Sequence, residues 1–149
     1  MGFLTGKTAL ITGAGRAVLQ DGSCGSIGYG IATAYAKEGA NLVITGRNVK
    51  KLEAAKEGIR GMSRVAATEW GPDGINVNVV CPLAWTAKLE QFQQNYPEAF
   101  KANVKMPPMG HYGNAELEIG RVCVQLASPD FKFMSGETLT LEGGMGQRP

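Results

Sequence analysis

Gly13, Gly15, Gly22, Gly25, Gly28 and Gly30 crowd the stretch between a short apolar run, Thr8 to Thr12, and a helical pattern in which Ile27, Ile31 and Tyr35 recur one turn apart. Strand, glycine-rich loop and helix in that order read as an anion site, with a purely structural loop as the alternative. The first turn of a helix leaves its N–H groups without intrahelical partners and carries about half a positive charge, so a pyrophosphate placed there gains hydrogen bonds and field together. Glycines keep side chains out of its way. Gly13 can make the turn out of the strand, Gly25 or Ser26 can bring backbone up to phosphates, and Gly28 can let the helix pack closely on the sheet.

The next chemical feature stands at the end of the second expected strand, Asn41 to Thr45, which follows the helix Ile27 to Glu38 through the helix-stopping Gly39. In dinucleotide sites an acid in this position binds the adenosine ribose, yet here the residues are Gly46 and Arg47. A carboxylate would repel a ribose 2′-phosphate. A guanidinium binds one through charge-assisted hydrogen bonds, so NADP(H) is the expected cofactor with Arg47 its selector; a solvated arginine starting a helix is the alternative.

The remaining elements frame this βαβ unit. From Val49 to Trp70, Leu52, Ala55, Ile59, Met62 and Ala66 alternate at spacings of three and four, giving one amphipathic stripe interrupted by Gly58 and Gly61. Each glycine costs about 1 kcal/mol in a helix interior, so a break or bend is expected there. A turn at Gly71 to Gly74 leads to a strand at Ile75 to Val80, ended by Cys81 and Pro82. Leu83 to His111, with Trp85, Phe92, Tyr96 and Phe100, reads as loop and short helices: either a Met- and aromatic-lined flap over an apolar ligand or a helical subdomain packed on the sheet. A helix from Ala115 to Ala127 and a strand near Glu137 to Leu141 close the series. There are no internal repeats or low-complexity tracts.

Composition narrows the class. The 149 residues suit one domain, residues 1–149, and 44% hydrophobic with 19% charged is ordinary for a water-soluble chain. Fifteen basic and 13 acidic residues are scattered without a basic stripe, which argues against nucleic acid. No apolar run reaches the roughly 20 residues that span a bilayer, and the N-terminus lacks a signal peptide's apolar core, so no membrane partner and a cytoplasmic location are expected. Cys24, Cys81 and Cys123 are odd in number and far apart, which fits reduced thiols, and no spacing suggests a metal. His111, the single histidine, sits in a Pro- and Gly-rich loop and reads as a surface or substrate-loop residue.

Together, the Thr12 to Gly28 loop with its inserted segment, Gly46-Arg47, the stretch Gly58 to Gly71, INVNVVCP, and SGETLTLEGG (Ser135 to Gly144) resemble the short-chain dehydrogenase/reductase family. Within it, the loop and the Trp85 to Tyr112 segment are most similar to the NADP-dependent 12α-hydroxysteroid dehydrogenases. The resemblance implies an α/β fold, a Rossmann-like parallel sheet with flanking helices, and an NADP(H)-dependent oxidoreductase acting on a steroid-like small molecule. It assigns the cofactor to Gly13, Ser26, Ile27, Gly28 and Arg47, and matches Thr86 to a threonine that meets the cofactor's carboxamide. It also implies a homo-oligomer, because the Gly58 to Trp70 helix matches one that packs between subunits, and a substrate-loop segment at 83–112.

Much of the family's pattern is missing. The Asn-Asn-Ala-Gly strand, a long helix, the strand bearing the catalytic serine and the tyrosine of Tyr-x-x-x-Lys have no counterpart, so about four strands remain and, at roughly 30 residues per βα unit, the chain is about 90 residues short. The seam falls near 52–57, where Ala54-Ala55-Lys56-Glu57 fits both the helix after the second strand and the surroundings of the family's lysine. Lys56 is the one catalytic candidate, matching that lysine or serving as an ordinary helix lysine. Leu52 stands where the tyrosine would be. In the family's sheet the absent strands separate the first two from the last two, so the sheet has either to re-pair across about 10 Å or to leave edges open. The other reading of such a chain is an inactive nucleotide-binding or oligomerising remnant.

Overall fold

A computed structural model describes residues 2–14, 16–45 and 56–146. Its chain order is β1 (Thr8–Thr12), α1 (Ile27–Lys37), β2 (Asn41–Thr45), α2 (Lys56–Trp70), β3 (Val79–Pro82), α3 (Ala87–Asn95), α4 (Pro97–Asn103), α5 (Arg121–Leu126) and β4 (Thr138–Leu141). The four strands form two separate parallel pairs. β1 lies beside β2 with Thr8 opposite Asn41, and β3 beside β4 with Val79 opposite Thr138. Among the described residues nothing joins the pairs into one sheet, so of the two outcomes expected for a shortened sheet this is the one with open edges.

Helix α1 ends where expected, Gly39 taking a positive φ of 82° after the C-cap Glu38. Its packing differs from the expected stripe. Ile27, Ile31 and Tyr35 are only half-buried, and the buried residues are Gly28, Gly30, Ala32 and Ala34. The reason is that α1 is sandwiched. Ala32 packs with Ile11 and Ala14 on the β1 side, while Ala34 joins Leu4 and Val124 on the other, and Tyr35 touches both clusters. Side chains spaced i, i+4 on two lines must be small when both neighbours press close.

On the second side α1 meets residues 115–120, which wind as a wider π-helical turn, Ala115–Gly120, before tightening into α5. A Cβ on Gly30 would lie 2.4 Å from the Ala115 carbonyl carbon, and one on Gly120 2.8 Å from the Ala34 Cβ. The expected single helix from Ala115 to Ala127 is therefore two windings. Asn114 opens it, its side chain accepting from Glu116 N (3.0 Å) and Leu117 N (2.9 Å).

Two further expectations are corrected. Helix α2 runs through Gly58 and Gly61 without a break, and around Gly61 there is open space. Strand β3 begins four residues later than Ile75. Asn76 and Asn78 instead donate their side-chain amides to Lys132 O and Met134 O, and Val77 N donates to Ser135 Oγ, so this stretch serves the 132–137 loop before pairing starts. The strand continues through Cys81 and Pro82, because the odd-numbered residues on either side bond to β4 and the missing proline N–H falls on the opposite edge.

Candidate functional site

The glycine-rich loop folds into a small hairpin between β1 and α1. Val18 bridges Cys24, Leu19 N donates to Ser23 O, Gly22 N returns to Leu19 O, and Gly25 N closes on Ala17 O at 2.8 Å. Asp21 fastens the tip by accepting from Ser23 N (2.9 Å) and Ser23 Oγ (2.6 Å), bonds to Ser23 that hold its carboxyl below the usual carboxylate range. The insertion thus closes on itself through bonds within residues 17–25. Gln20 N reaches Glu90 of α3.

This leaves the start of α1 facing the turn at Gly13, which has φ 69°. A Cβ on Gly28 would come within 2.5 Å of Gly13 O and 2.8 Å of Ala14 N, so the helix begins as close to the strand end as backbone permits. Ser26 is the N-cap in extended conformation, its side chain making no capping bond to the first turn, and Ile27 is the first helical residue. The first-turn N–H groups of α1 therefore start directly beside the turn at Gly13.

Thr86, sixty residues on, is brought to the same place. Ala87 N donates to Gly25 O at 2.9 Å, and Thr86 caps α3 by accepting from Leu89 N at 3.3 Å. Of the predicted site residues, then, Gly13, Ser26, Ile27, Gly28 and Thr86 share one end of the β1–α1 unit. Arg47 lies outside the described residues, as do Gly46 and Leu52. Lys56 is the first residue of α2.

Two of the four tyrosines, Tyr35 and Tyr112, are committed elsewhere. Tyr35 OH donates to Cys123 O at 2.7 Å, and burial pushes its pKa up to about 12, the wrong direction for a group that must give up a proton near neutrality. Tyr112 OH donates to Lys105 O. Its ring meets Trp85 edge-on, Trp85 meets Phe100 in the same way, and Phe92 leans on Phe100 and Tyr96, so the aromatic residues of 85–112 pack mainly on one another.

Sequence reasoning did not single out the partner of His111. Its Nε2 lies 2.9 Å from Glu118 Oε1 and its Nδ1 3.3 Å from Met109 O, at the rim of a 390 Å³ recess also lined by Leu83, Gly113 and Leu141. Glu118 Oε2 accepts from Asn114 N at 2.7 Å. The Glu118 carboxylate, then the Met109 carbonyl, raise the His111 pKa; the Asn114 N–H, then His111, lower that of Glu118. The histidine's contribution is complete below its unfolded value of about 6.5 and fades as pH rises through the raised one, while that of Glu118 fades as pH falls through its lowered value. Both side chains are substantially exposed, so the pair is a weak tie. An NMR titration should place His111 above the ordinary histidine value, and Glu118→Gln should move it back down; a midpoint unmoved by that change would contradict the pairing.

Among the described residues no helix is long and apolar enough to cross a membrane, and no group of three or more His, Cys, Asp or Glu could hold a metal. The cysteines are free thiols, and burial pushes Cys123 up to about 11.

A family model described as enoyl-(acyl carrier protein) reductase matches residues 47–146. The chain is 40% identical to a 12α-hydroxysteroid dehydrogenase of Clostridium sp., with all of both chains covered. That alignment runs over 266 positions, far more than the 149 residues available to fill it. A tropinone reductase homologue of Arabidopsis thaliana is 33% identical over 70% of this chain, which spans 38% of that protein. Among solved structures, a chain assigned as a short-chain dehydrogenase/reductase from Burkholderia xenovorans superposes with a TM-score of 0.76 at 17% identity, covering all of both chains. L-Sorbose reductase from Gluconobacter frateurii, complexed with NADPH and L-sorbose, gives 0.69 at 17% identity over 99% of each.

Proposed function

The chain belongs to the short-chain dehydrogenase/reductase family, and on that premise we propose that it is a shortened member of the hydroxysteroid line that keeps NADP(H) binding and has lost the groups that complete the reaction. The observation that carries this reading is the meeting of Gly13, Ser26, Gly28 and Thr86 at one end of the β1–α1 unit, with room only for backbone between Gly13 and Gly28. Such a cradle fits a dinucleotide's pyrophosphate: the first-turn N–H groups start beside Gly13, and both residues of the close approach are glycines. Two relatives lend support to the cofactor and substrate class, the Clostridium hydroxysteroid dehydrogenase and the NADPH complex of L-sorbose reductase.

When bound, the nicotinamide supplies a hydride. This chain's own contributions are binding and orientation: the first turn of α1 holds the phosphates, Arg47 pairs with the 2′-phosphate, and Thr86 addresses the carboxamide end. Reducing a carbonyl also needs a proton at the oxygen. The family's tyrosine has Leu52 in its place and its serine strand has no counterpart, while Tyr35 and Tyr112 hydrogen-bond to backbone carbonyls. Lys56 has Leu52, not a tyrosine, four residues before it, so the phenol whose pKa the family's lysine lowers is missing. Internal shortening is supported by the 266-position alignment and by the division of the strands into two pairs.

Calorimetric titration with NADPH and NADH, beside a ketosteroid reduction assay, tests the reading. NADPH should bind and NADH bind at least about tenfold more weakly, with Arg47→Ala erasing the difference. No steroid-dependent oxidation of NADPH should be seen. Turnover that vanishes in Lys56→Ala would overturn the loss of chemistry, and absence of NADPH binding would overturn the cradle.

A further inference from the structure

Between the two strand pairs runs a cleft of about 760 Å³, bounded by β1 on one side and by the approach to β3 on the other, with Ile31 and Tyr35 of α1 among its walls. Its two banks are strand edges. In a parallel strand each residue points its N–H and C=O the same way and the next residue points them oppositely. Lys7 O accepts from Asn41 N, so the odd-numbered groups of β1 serve β2 and those of Thr8 and Leu10 face away. Val77 O accepts from Gly136 N and Val79 N donates to Glu137 O, so Asn78 and Val80 likewise turn their backbone from β4. Thr8, Asn78 and Val80 all line the cleft. Among the described residues no strand pairs with either edge.

The charge of the lining points to the kind of occupant. The lining includes Lys7 and Lys132 but no aspartate or glutamate. Lys7 Nζ is anchored on Ala127 O at 3.0 Å, which keeps its charge at the cleft.

We propose that this cleft binds an extended acidic segment of another polypeptide, which adds a β-strand between the two open edges and sets its carboxylates against Lys7 and Lys132. Backbone pairing on both sides gives affinity without sequence preference; apolar side chains at alternate positions pack toward Ile31 and Tyr35, and the lysines select for negative charge. A second copy of this chain is the competing occupant, since open edges also invite self-pairing.

The probe is the capped heptapeptide Glu-Val-Thr-Val-Thr-Ile-Glu, with amide hydrogen exchange of the full chain as the readout. Its binding should slow exchange at Thr8, Leu10, Asn78 and Val80 by at least about tenfold. The same peptide with lysine ends should bind about tenfold more weakly, and Lys132→Glu should narrow or reverse that preference while circular dichroism reports an unchanged fold. A version N-methylated at every internal amide should give no slowing. The proposal is overturned if none of the four amides is protected at about 1 mM peptide, if N-methylated and unmodified peptides act alike, or if the chain alone sediments as a dimer with these amides already protected.

Discussion

Replacing Gly30 by valine is expected to cost about 3 kcal/mol or more and to lower the melting temperature by about 10 °C. The ideal Cβ would stand 2.4 Å from the carbonyl carbon and 2.5 Å from the oxygen of Ala115, backbone atoms that cannot swing aside. Relief requires α1 to withdraw from the π-helical turn, and with it Ala34 from Leu4 and Val124. The Lys37–Glu116 pair and the Arg121–Glu38 pair at 2.9 Å span the same seam. Lys37 and Arg121 are largely exposed while Glu116 and Glu38 are mostly covered, and with one end of each pair in water they offset little of the loss. The matched control is Gly61→Ala on α2, where the added methyl meets nothing and the better helix former should stabilise by about 1 kcal/mol. Thermal unfolding of the two variants beside the parent checks both signs; equal melting temperatures would mean that the α1 contact is not a close packing.

Gly28→Val is expected to weaken NADPH binding by about 100-fold. Here the obstructed atoms are Gly13 O at 2.5 Å and Ala14 N at 2.8 Å, the turn from β1 into the loop. To admit valine, the first turn of α1 has to lift off the strand end, carrying its N–H groups away from the phosphates. Stability falls too, so binding is compared among molecules still folded, at a temperature well below the variant's own transition. Gly30→Val provides the contrast, since its clash is at the other side of α1 and its folded molecules keep the strand-end turn. Should calorimetry find NADPH equally tight in the parent and in Gly28→Val, the close approach of Gly13 and Gly28 would have no part in nucleotide binding.

What could be read in advance depended on range along the chain. β1, α1 and β2 were legible because their signals are local: an apolar run, glycines, a 3.6-residue recurrence and Gly39 as stop. The same signals located Gly13, Ser26, Ile27 and Gly28. Thr86 came from the family resemblance alone, since the bond from its neighbour Ala87 to Gly25 is a tertiary contact with no local mark. The small residues of α1 were misjudged for a related reason. Periodicity shows where apolar volume recurs, whereas Gly30 and Ala34 are defined by the absence of volume, which matters only once Ala115 and Gly120 are known to press against them. The late start of β3 was hidden too, because β-branched alternation in INVNVV favours a strand, and only the loop at 132–137 reveals what Asn76 and Asn78 are for. The Glu118 partner of His111 needed the 111–118 turn to be folded before it could be recognised.

The two strand pairs differ in how much of the chain must exist before each can close. Thr8 meets Asn41, and one helix fills the interval; Val79 meets Thr138, with α3, α4, the π-helical turn and α5 in between. During synthesis the first pair can therefore assemble once Asn41 to Thr45 has emerged, whereas β3 must wait for Thr138 to Leu141. Yet α1, the helix of the early pair, is finished on its second side only by Ala115 and Gly120, which arrive late. The nascent protein thus keeps one face of α1 bare until Ala115 to Gly120 emerge, and that interval is when a chaperone would have the most to hold.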